Sequence, residues 1–205
     1  MKTKIVALNG KNFSEAVEIA CSVFRAGGIA VFPTETCYGL GCVATDEKAI
    51  RKVFAAKKRN PKKALPIIVS NLNMAGRFAS LDSCAVRLAK IFFPGPLTLV
   101  CEKTAAIPDC LSSDGIAFRV SPNRFVAAVV ERLGVPIVGS SANFEGEPEI
   151  YSGAKAAEKF SGAADLVVDA GLLEKNVPST IFDCRAKKIL RKGAVSVAEI
   201  FRALS

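Results

Sequence analysis

Three short segments and one isolated arginine carry side chains capable of chemistry. The first segment is PTETCYGLG (33–41), which follows the apolar run IAVF (29–32). Thr34 and Thr36 supply hydroxyls and Glu35 a carboxylate. Pro33 fixes one dihedral, and Gly39 and Gly41 permit close backbone approach to a ligand. A plain turn accounts for the same residues. The second segment, KKRNPKK, places Lys57, Lys58, Arg59, Lys62 and Lys63 within seven positions at the end of a helical pattern. Such a run is either a solvated helix terminus that complements the dipole or a phosphate clamp. In a clamp, an Arg fork binds oxygens bidentately beside Lys point charges. The third, VGSSANFEGEP (138–148), gathers Ser140, Ser141 and Asn143 at the end of an apolar strand pattern. Ligands collect at such strand ends in α/β sheets, and the same residue types also favour turns. Arg119 stands inside GIAFRV, an otherwise apolar strand pattern, where a guanidinium is costly unless paired. It fits either an ion pair with Asp114 or the capture of a substrate carboxylate.

The residues that are missing narrow the chemistry. The chain contains no His, which removes every Ser-His and Cys-His arrangement and argues against a conventional zinc site. Seven Cys (21, 37, 42, 84, 101, 110 and 184) form no CxxC pair and read as reduced, mostly buried small hydrophobes. The nearest pair, Cys37 and Cys42, would hold a metal only with help from elsewhere, so no protein metal site is expected. There is no GxxxxGK[ST] or GxGxxG phosphate loop. Catalysis must rest on Lys, Arg, hydroxyls, amides, carboxylates and backbone.

These residues need a scaffold, and the pattern supplies alternating strands and helices. Strands are expected at 4–8, 29–32, 65–69, 97–102, 115–120 and 136–140. Helices are expected from about Asn12 to Ala26 (with Asn12 as cap), from Asp46, around 72–80 and 83–92, and from Ser121-Pro122 to Gly134. Segments 33–41 and 141–153 read as loops. A helix near 154–160, strands in DLVVDAG, STIFDC and KKILRKG, and a final helix opened by the capping box Ser196–Glu199 complete the chain. The economical reading is one α/β (α+β type) domain over residues 1–205, built on a twisted mixed sheet.

Composition sets the remaining bounds. Half of the 205 residues are apolar, and the net charge of +9 implies some affinity for polyanions. No apolar stretch reaches bilayer-spanning length and the N-terminus lacks a signal-peptide core, so a cytoplasmic protein with no membrane partner is expected.

The order PTET-YGLG, AKKR, PGPLTLV, FRV, SSAN-EGEP, PSTIFD, LRKGA, from about residue 12 to 193, resembles the YrdC-like family in its short single-domain form. Each segment is common; their joint order is specific. The family signature, KxR followed later by SxN, falls on Lys57-Lys58-Arg59 and Ser141-Ala142-Asn143. The sequence departs from the family pattern at Asn60-Pro61, where the family has Pro directly after Arg. It departs again after LPIIV, where Ser70 stands at a position sometimes His.

The resemblance implies L-threonylcarbamoyladenylate synthesis from L-threonine, bicarbonate and ATP, for threonylcarbamoyladenosine modification of tRNA. It implies catalytic roles for Lys57, Arg59, Ser141 and Asn143. ATP would be bound by Arg59, Lys63, Ser141, Asn143 and Arg191, and threonine by Thr34, Arg119 and Ser179, with Arg119 on its carboxylate. Mg²⁺ would be held through the ATP phosphates, and the product passed to tRNA threonylcarbamoyl-transferase proteins. The implied fold has helices packed around a twisted sheet with an open, basic concave face. A second reading, a tRNA- or double-stranded-RNA-binding protein without catalysis, follows from the charge and that concavity but leaves Arg119 unexplained. A third, a carbamoylating maturation factor, lacks the flanking zinc and acylphosphatase segments such proteins carry.

Overall fold

A computed structural model describes residues 2–205. The first half runs β1 (Lys4–Ala7), α1 (Phe13–Arg25), β2 (Ala30–Pro33), β3 (Tyr38–Gly41), α2 (Glu47–Ala56), β4 (Ile67–Ile68), α3 (Leu72–Phe78), β5 (Ala79–Ser80) and α4 (Ser83–Phe92). The second half runs β6 (Leu97–Lys103), β7 (Ile116–Arg119), α5 (Arg124–Leu133), β8 (Ile137–Val138), β9 (Ser140–Ser141), α6 (Gly153–Lys159), β10 (Leu166–Asp169), β11 (Thr180–Asp183), β12 (Lys188–Arg191) and α7 (Val197–Leu204). The α/β class is as expected, but the strands form two mixed sheets. One has the order β1-β10-β2-β3-β9; the other has β12-β11-β6-β7-β4-β8, with β5 added beside β6. Among the described residues, no helix is long and apolar enough to cross a membrane.

In the first sheet the central strands β10 and β2 are parallel and buried nearly throughout, because helices cover them. Helix α1 buries Ala16, Val17, Ala20, Cys21 and Phe24, a helical stripe whose last ring meets Phe32 edge-on at 6.3 Å. Asn12 precedes α1 without capping it. Its amide instead donates to the Ala7 carbonyl and its oxygen accepts from the Asn9 N–H, tying β1 to the helix entry. Helix α5 begins not at Ser121-Pro122 but after Asn123, whose side chain caps it; Asp46, Asn71, Asp82, Ser152 and Ser196 likewise each accept from a first-turn N–H.

The expected strand 136–140 divides at Gly139 into β8 of the second sheet and β9 of the first, so one short segment stitches the sheets together. Segment 33–41, expected as a loop throughout, supplies β3, which pairs antiparallel with β2 and with β9. Gly41 does not face a ligand. It lies against β8, where an added Cβ would sit 1.8 Å from the Val138 carbonyl oxygen, while Val138 N–H donates to the Cys42 carbonyl at 2.8 Å. Only a residue without Cβ permits this approach.

The end of α2 anchors the same region. Lys58 takes the left-handed conformation (φ 50°), Lys58 N–H donates to Ala55 O, and Arg59 N–H donates to Phe54 O, a Schellman turn built without glycine. The turn sends Lys57 inward, where it is 2% exposed. Its ammonium donates to the carbonyl oxygens of Ser141 and Asn143, the latter at 2.9 Å, and reaches Asn143 Oδ1 at 3.4 Å. Burial, and secondarily the Arg59 charge, lowers its pKa to about 8.

Two expectations follow. Gly41→Ala should cost about 2–4 kcal/mol of unfolding free energy, read by urea denaturation, because the backbones of β3 and β8 must separate. For Lys57, the folded-state pKa of about 8 lies below the ordinary 10.5. The unfolded chain therefore binds more protons between these values. The penalty is full below pH 8 and is relieved as pH rises toward 10.5, a gain of at most about 3 kcal/mol. Urea unfolding across that window should show wild type gaining stability relative to Lys57→Met; parallel pH dependences would exclude the assignment.

Candidate functional site

A cleft of about 410 Å³ opens on one face of the second sheet. Side chains alternate along a strand, so Thr98 and Val100 of β6, Ala117 and Arg119 of β7, and Ile181 of β11 form its floor. Their neighbours Leu97, Leu99, Ile116, Phe118 and Phe182 are fully buried on the other face, where Phe182 meets Phe201 of α7. The β2–β3 turn supplies Thr34, Thr36, Cys37 and Gly39. Strand β9 supplies Ser140 and Ser141, and the chain after α2 supplies Arg59 and Ala64–Pro66. Ser179, Arg191 and Glu149 complete the lining used here.

Arg119 is 7% exposed, and its partner is not Asp114, which binds Arg185 at 2.9 Å. Instead Nη1 of Arg119 donates to Glu35 Oε1 at 2.5 Å, and Ser121 Oγ donates to Glu35 Oε2 at 2.5 Å. No protein acceptor engages Nε or Nη2 of Arg119 among the described residues. Glu35 is presented by a turn that Thr34 organises. The Thr34 hydroxyl accepts from the Thr36 and Cys37 N–H groups and donates to the Cys37 carbonyl at 2.6 Å. Asn176 donates to the Glu35 carbonyl at 2.9 Å, pinning the turn from outside.

Ser179 and Arg191 form a second polar group in the cleft. Ser179 Oγ lies 2.9 Å from Thr98 Oγ1, and Arg191 donates from Nε and Nη2 to the Ser179 carbonyl (3.1 and 2.9 Å) and from Nη2 to its hydroxyl (3.0 Å). Arg191 as a whole is exposed, but partial desolvation of its guanidinium against the cleft wall lowers its pKa from the ordinary value.

The basic segment is split by the fold. Arg59 lines the cleft and is held by the carbonyls of Lys63 (3.3 Å) and Ala64 (3.2 Å). Lys63 is exposed, outside the cleft lining, and ion-paired with Glu145, which also accepts from Asn60 N–H. The Lys63 hydrogen bond holds the Glu145 carboxyl below its ordinary pKa. Lys57 lies beneath the Ser141–Asn143 turn and is not a cleft residue. Ser141 does line the cleft, and its hydroxyl donates to Asn143 Oδ1 at 2.6 Å; Asn143 faces away, donating to the Glu147 carbonyl. Of the nine residues picked from the sequence, the cleft therefore gathers Thr34, Arg59, Arg119, Ser141, Ser179 and Arg191, while Lys57, Lys63 and Asn143 stand behind or beside it.

Sequence reasoning passed over Thr98 and Glu149, gave Ser140 and Cys37 no place in the site, and missed that Glu35 partners Arg119. Thr98 was findable: it is the polar residue of LTLV, as Arg119 is of GIAFRV, and both point to the same face. Cys37 is no nucleophile, because burial and the nearby Glu149 charge push its thiol up to about 11. The cleft offers three guanidinium groups, several hydroxyls and no activated nucleophile. It suits an anionic ligand that reacts by being positioned.

Residues 22–193 match the Sua5/YciO/YrdC family, described as Telomere recombination. The chain is 34% identical over 193 residues to the threonylcarbamoyl-AMP synthase of Pyrococcus abyssi, covering 92% of this chain and 57% of that relative. The structure of P. abyssi Sua5 complexed with L-threonine superposes with a TM-score of 0.90 at 32% identity, covering 100% of this chain and 61% of that one. E. coli YciO shares the fold, with a TM-score of 0.85 at 22% identity over 97% of this chain and 98% of its own. The order of motifs, the two-sheet architecture and the cleft they frame thus have one explanation: the chain belongs to the Sua5/YciO/YrdC family.

Proposed function

We propose that this chain is an L-threonylcarbamoyladenylate synthase, a nucleotidyltransferase acting on L-threonine, bicarbonate and ATP. The observation that carries the reading is Arg119, a buried guanidinium in the cleft floor whose Nε and Nη2 no protein group claims. Such a fork is suited to a carboxylate, and the P. abyssi relative is a protein complexed with L-threonine. In the reaction, the threonine amine adds to bicarbonate with loss of water to give a carbamate. A carbamate oxygen attacks the α-phosphorus of ATP, the bond to the bridging oxygen breaks, and pyrophosphate leaves.

Each step asks for placement and charge neutralisation rather than an enzyme nucleophile, which suits a site with no His and a protonated Cys37. Arg119 orients the threonine carboxylate, with Thr34 and Ser179 beside it. Arg59 holds phosphate oxygens; Lys63 joins it by exchanging Glu145 for phosphate, a change its exposure permits. Arg191 faces the nucleotide and Ser141 the junction of the two substrates. Lys57 and Asn143 act as positioning residues that fix the Ser141 turn. Of the carboxylates at or beside the cleft, Glu35 is committed to Arg119 and Ser121, and Glu149 accepts from the Tyr151 hydroxyl. That donor set does not form a cation cage, so Mg²⁺ belongs with the ATP phosphates, where it would screen their charge.

The setting is cytoplasmic in this proposal, and the product passes to tRNA threonylcarbamoyl-transferase proteins. The net charge of +9 adds an affinity for tRNA or duplex RNA that weakens with salt.

Four measurements test this. With ATP, Mg²⁺, bicarbonate and threonine, pyrophosphate release should need both small co-substrates and survive ribonuclease; activity only on addition of tRNA would overturn the order of steps. If activity is absent while duplex RNA binds tightly at physiological salt, the RNA-binding reading replaces it. Arg59→Ala should lower kcat/KM by an amount equivalent to about 2–4 kcal/mol with little loss of stability. Arg119→Lys should weaken threonine binding by about 2 kcal/mol in calorimetry and leave ATP affinity nearly unchanged.

A further inference from the structure

We propose that Asp82, Cys84 and Cys184 form a binding site for a zinc-class divalent cation on the side of the second sheet opposite the cleft. One ligand atom from each residue lies within 4.8 Å of the other two. Tetrahedral coordination with metal–sulfur bonds of about 2.3 Å needs only modest rotamer adjustment from that spacing. Two sulfurs and a carboxylate favour a soft or borderline cation over Mg²⁺ or Ca²⁺.

The backbone holds the three residues in place. Asp82 caps α4 with Oδ1, which accepts from Ala85 N–H at 2.7 Å, and its second oxygen makes no protein hydrogen bond among the described residues. Cys84 sits in the first turn of α4. Cys184 follows β11 and continues its parallel ladder with β6, donating its N–H to the Val100 carbonyl at 3.0 Å. One step beyond the Asp183–Val100 pair, Cys101 stands across from Cys184 and places a third thiol beside the group. Cys184 has the strand parity of Phe182, so its side chain faces away from the cleft.

Accessibility agrees with a site. Asp82 is exposed, Cys84 half-buried and Cys184 buried, which gives a cation a path from solvent to the innermost sulfur. On binding, two thiol protons leave to solvent. Two thiolates, one carboxylate and a divalent cation then carry a net −1, which nearby Lys187 offsets only in part, since burial and the Asp82 charge hold the free Cys84 thiol above its ordinary pKa. The ion would staple the start of α4 to the end of β11. No neighbouring pair of Cys in the sequence announces the site, because its two sulfurs come from Cys84 and Cys184, far apart in the chain.

Titrating Cd²⁺ into the reduced, chelator-stripped full chain tests this. One ion per chain should bind, with a thiolate-to-cadmium charge-transfer band in the ultraviolet, a raised thermal midpoint and displacement by Zn²⁺. Asp82→Asn keeps the helix cap and should weaken binding at least about tenfold. Cys84→Ala should abolish the band, while the Cys37→Ala/Cys42→Ala double variant should retain it. A wild-type chain that takes up no ion overturns the proposal, as do Asp82→Asn and Cys84→Ala variants that bind as wild type does. Because no cleft residue takes part, none of these outcomes depends on the activity proposed above.

Discussion

The segment Ile137–Ser141 belongs to two sheets at once, and the cleft exists because it does. Its first half pairs with β4, its second half with β3, and Gly139 between them donates to the Pro66 carbonyl at 2.9 Å. An added Cβ at Gly139 would meet Ile68 at 2.5 Å, and one at Gly41 would strike Val138. The two sheets can converge only where side chains are absent. That convergence sets Ser140, Ser141 and the β2–β3 turn against the polar face of β6 and β7. Shifting β9 by one residue would exchange the faces of Ser140 and Ser141.

The turn at the cleft wall is then fixed by charge. Arg119 and Glu35 are both largely withdrawn from water, where an ion pair is tolerable only if well hydrogen-bonded and where removing one partner is costly. Ser121 satisfies the second Glu35 oxygen, so both carboxylate oxygens are paired while Nε and Nη2 of Arg119 remain open to the cleft. An incoming carboxylate can engage Nε and Nη2 without breaking the pair, or replace Glu35 and leave the guanidinium paired. In either case Arg119 is never stranded.

How much of this was readable from the sequence depended on range. Strands such as LTLV and LVVD, and the helix starts at Asp46 and Ser196, are set by local sequence and lie within a few residues of expectation. The β3 strand was hidden because PTETCYGLG has two glycines and a proline, local signals of a turn that the pairing of β3 with β2 and β9 overrides. Asn12 looked like a cap from its position and from Glu15 three residues on, but the carbonyl of Ala7, at the end of β1, took its side chain. For the site, an arginine in an apolar strand marked Arg119 correctly. Its partner could not be chosen between acids, since Asp114 is near in sequence and Glu35 near in space. The basic run looked like one clamp, whereas helix phase and the Schellman turn send Lys57 inward and Lys63 outward.

The positive charge of the cleft survives because most of it is held by neutral acceptors. Arg191 rests on the Ser179 carbonyl, Arg59 on those of Lys63 and Ala64, and Lys57, behind the wall, on those of Ser141 and Asn143. A carbonyl oxygen orients a cation without cancelling its charge, whereas a carboxylate does both. Only Arg119 among these carries a carboxylate partner, and it is the most deeply buried of the cleft guanidinium groups, where an unpaired charge would cost most. Among the guanidinium groups the division follows depth: nearer water, backbone dipoles suffice to aim the cation, and its field remains available to an anionic ligand. Lys57, deeper still, rests on carbonyls alone and carries the cost as a pKa lowered to about 8. A chain without His, with its one cleft thiol kept protonated, has this preorganised field as its principal means of accelerating a reaction.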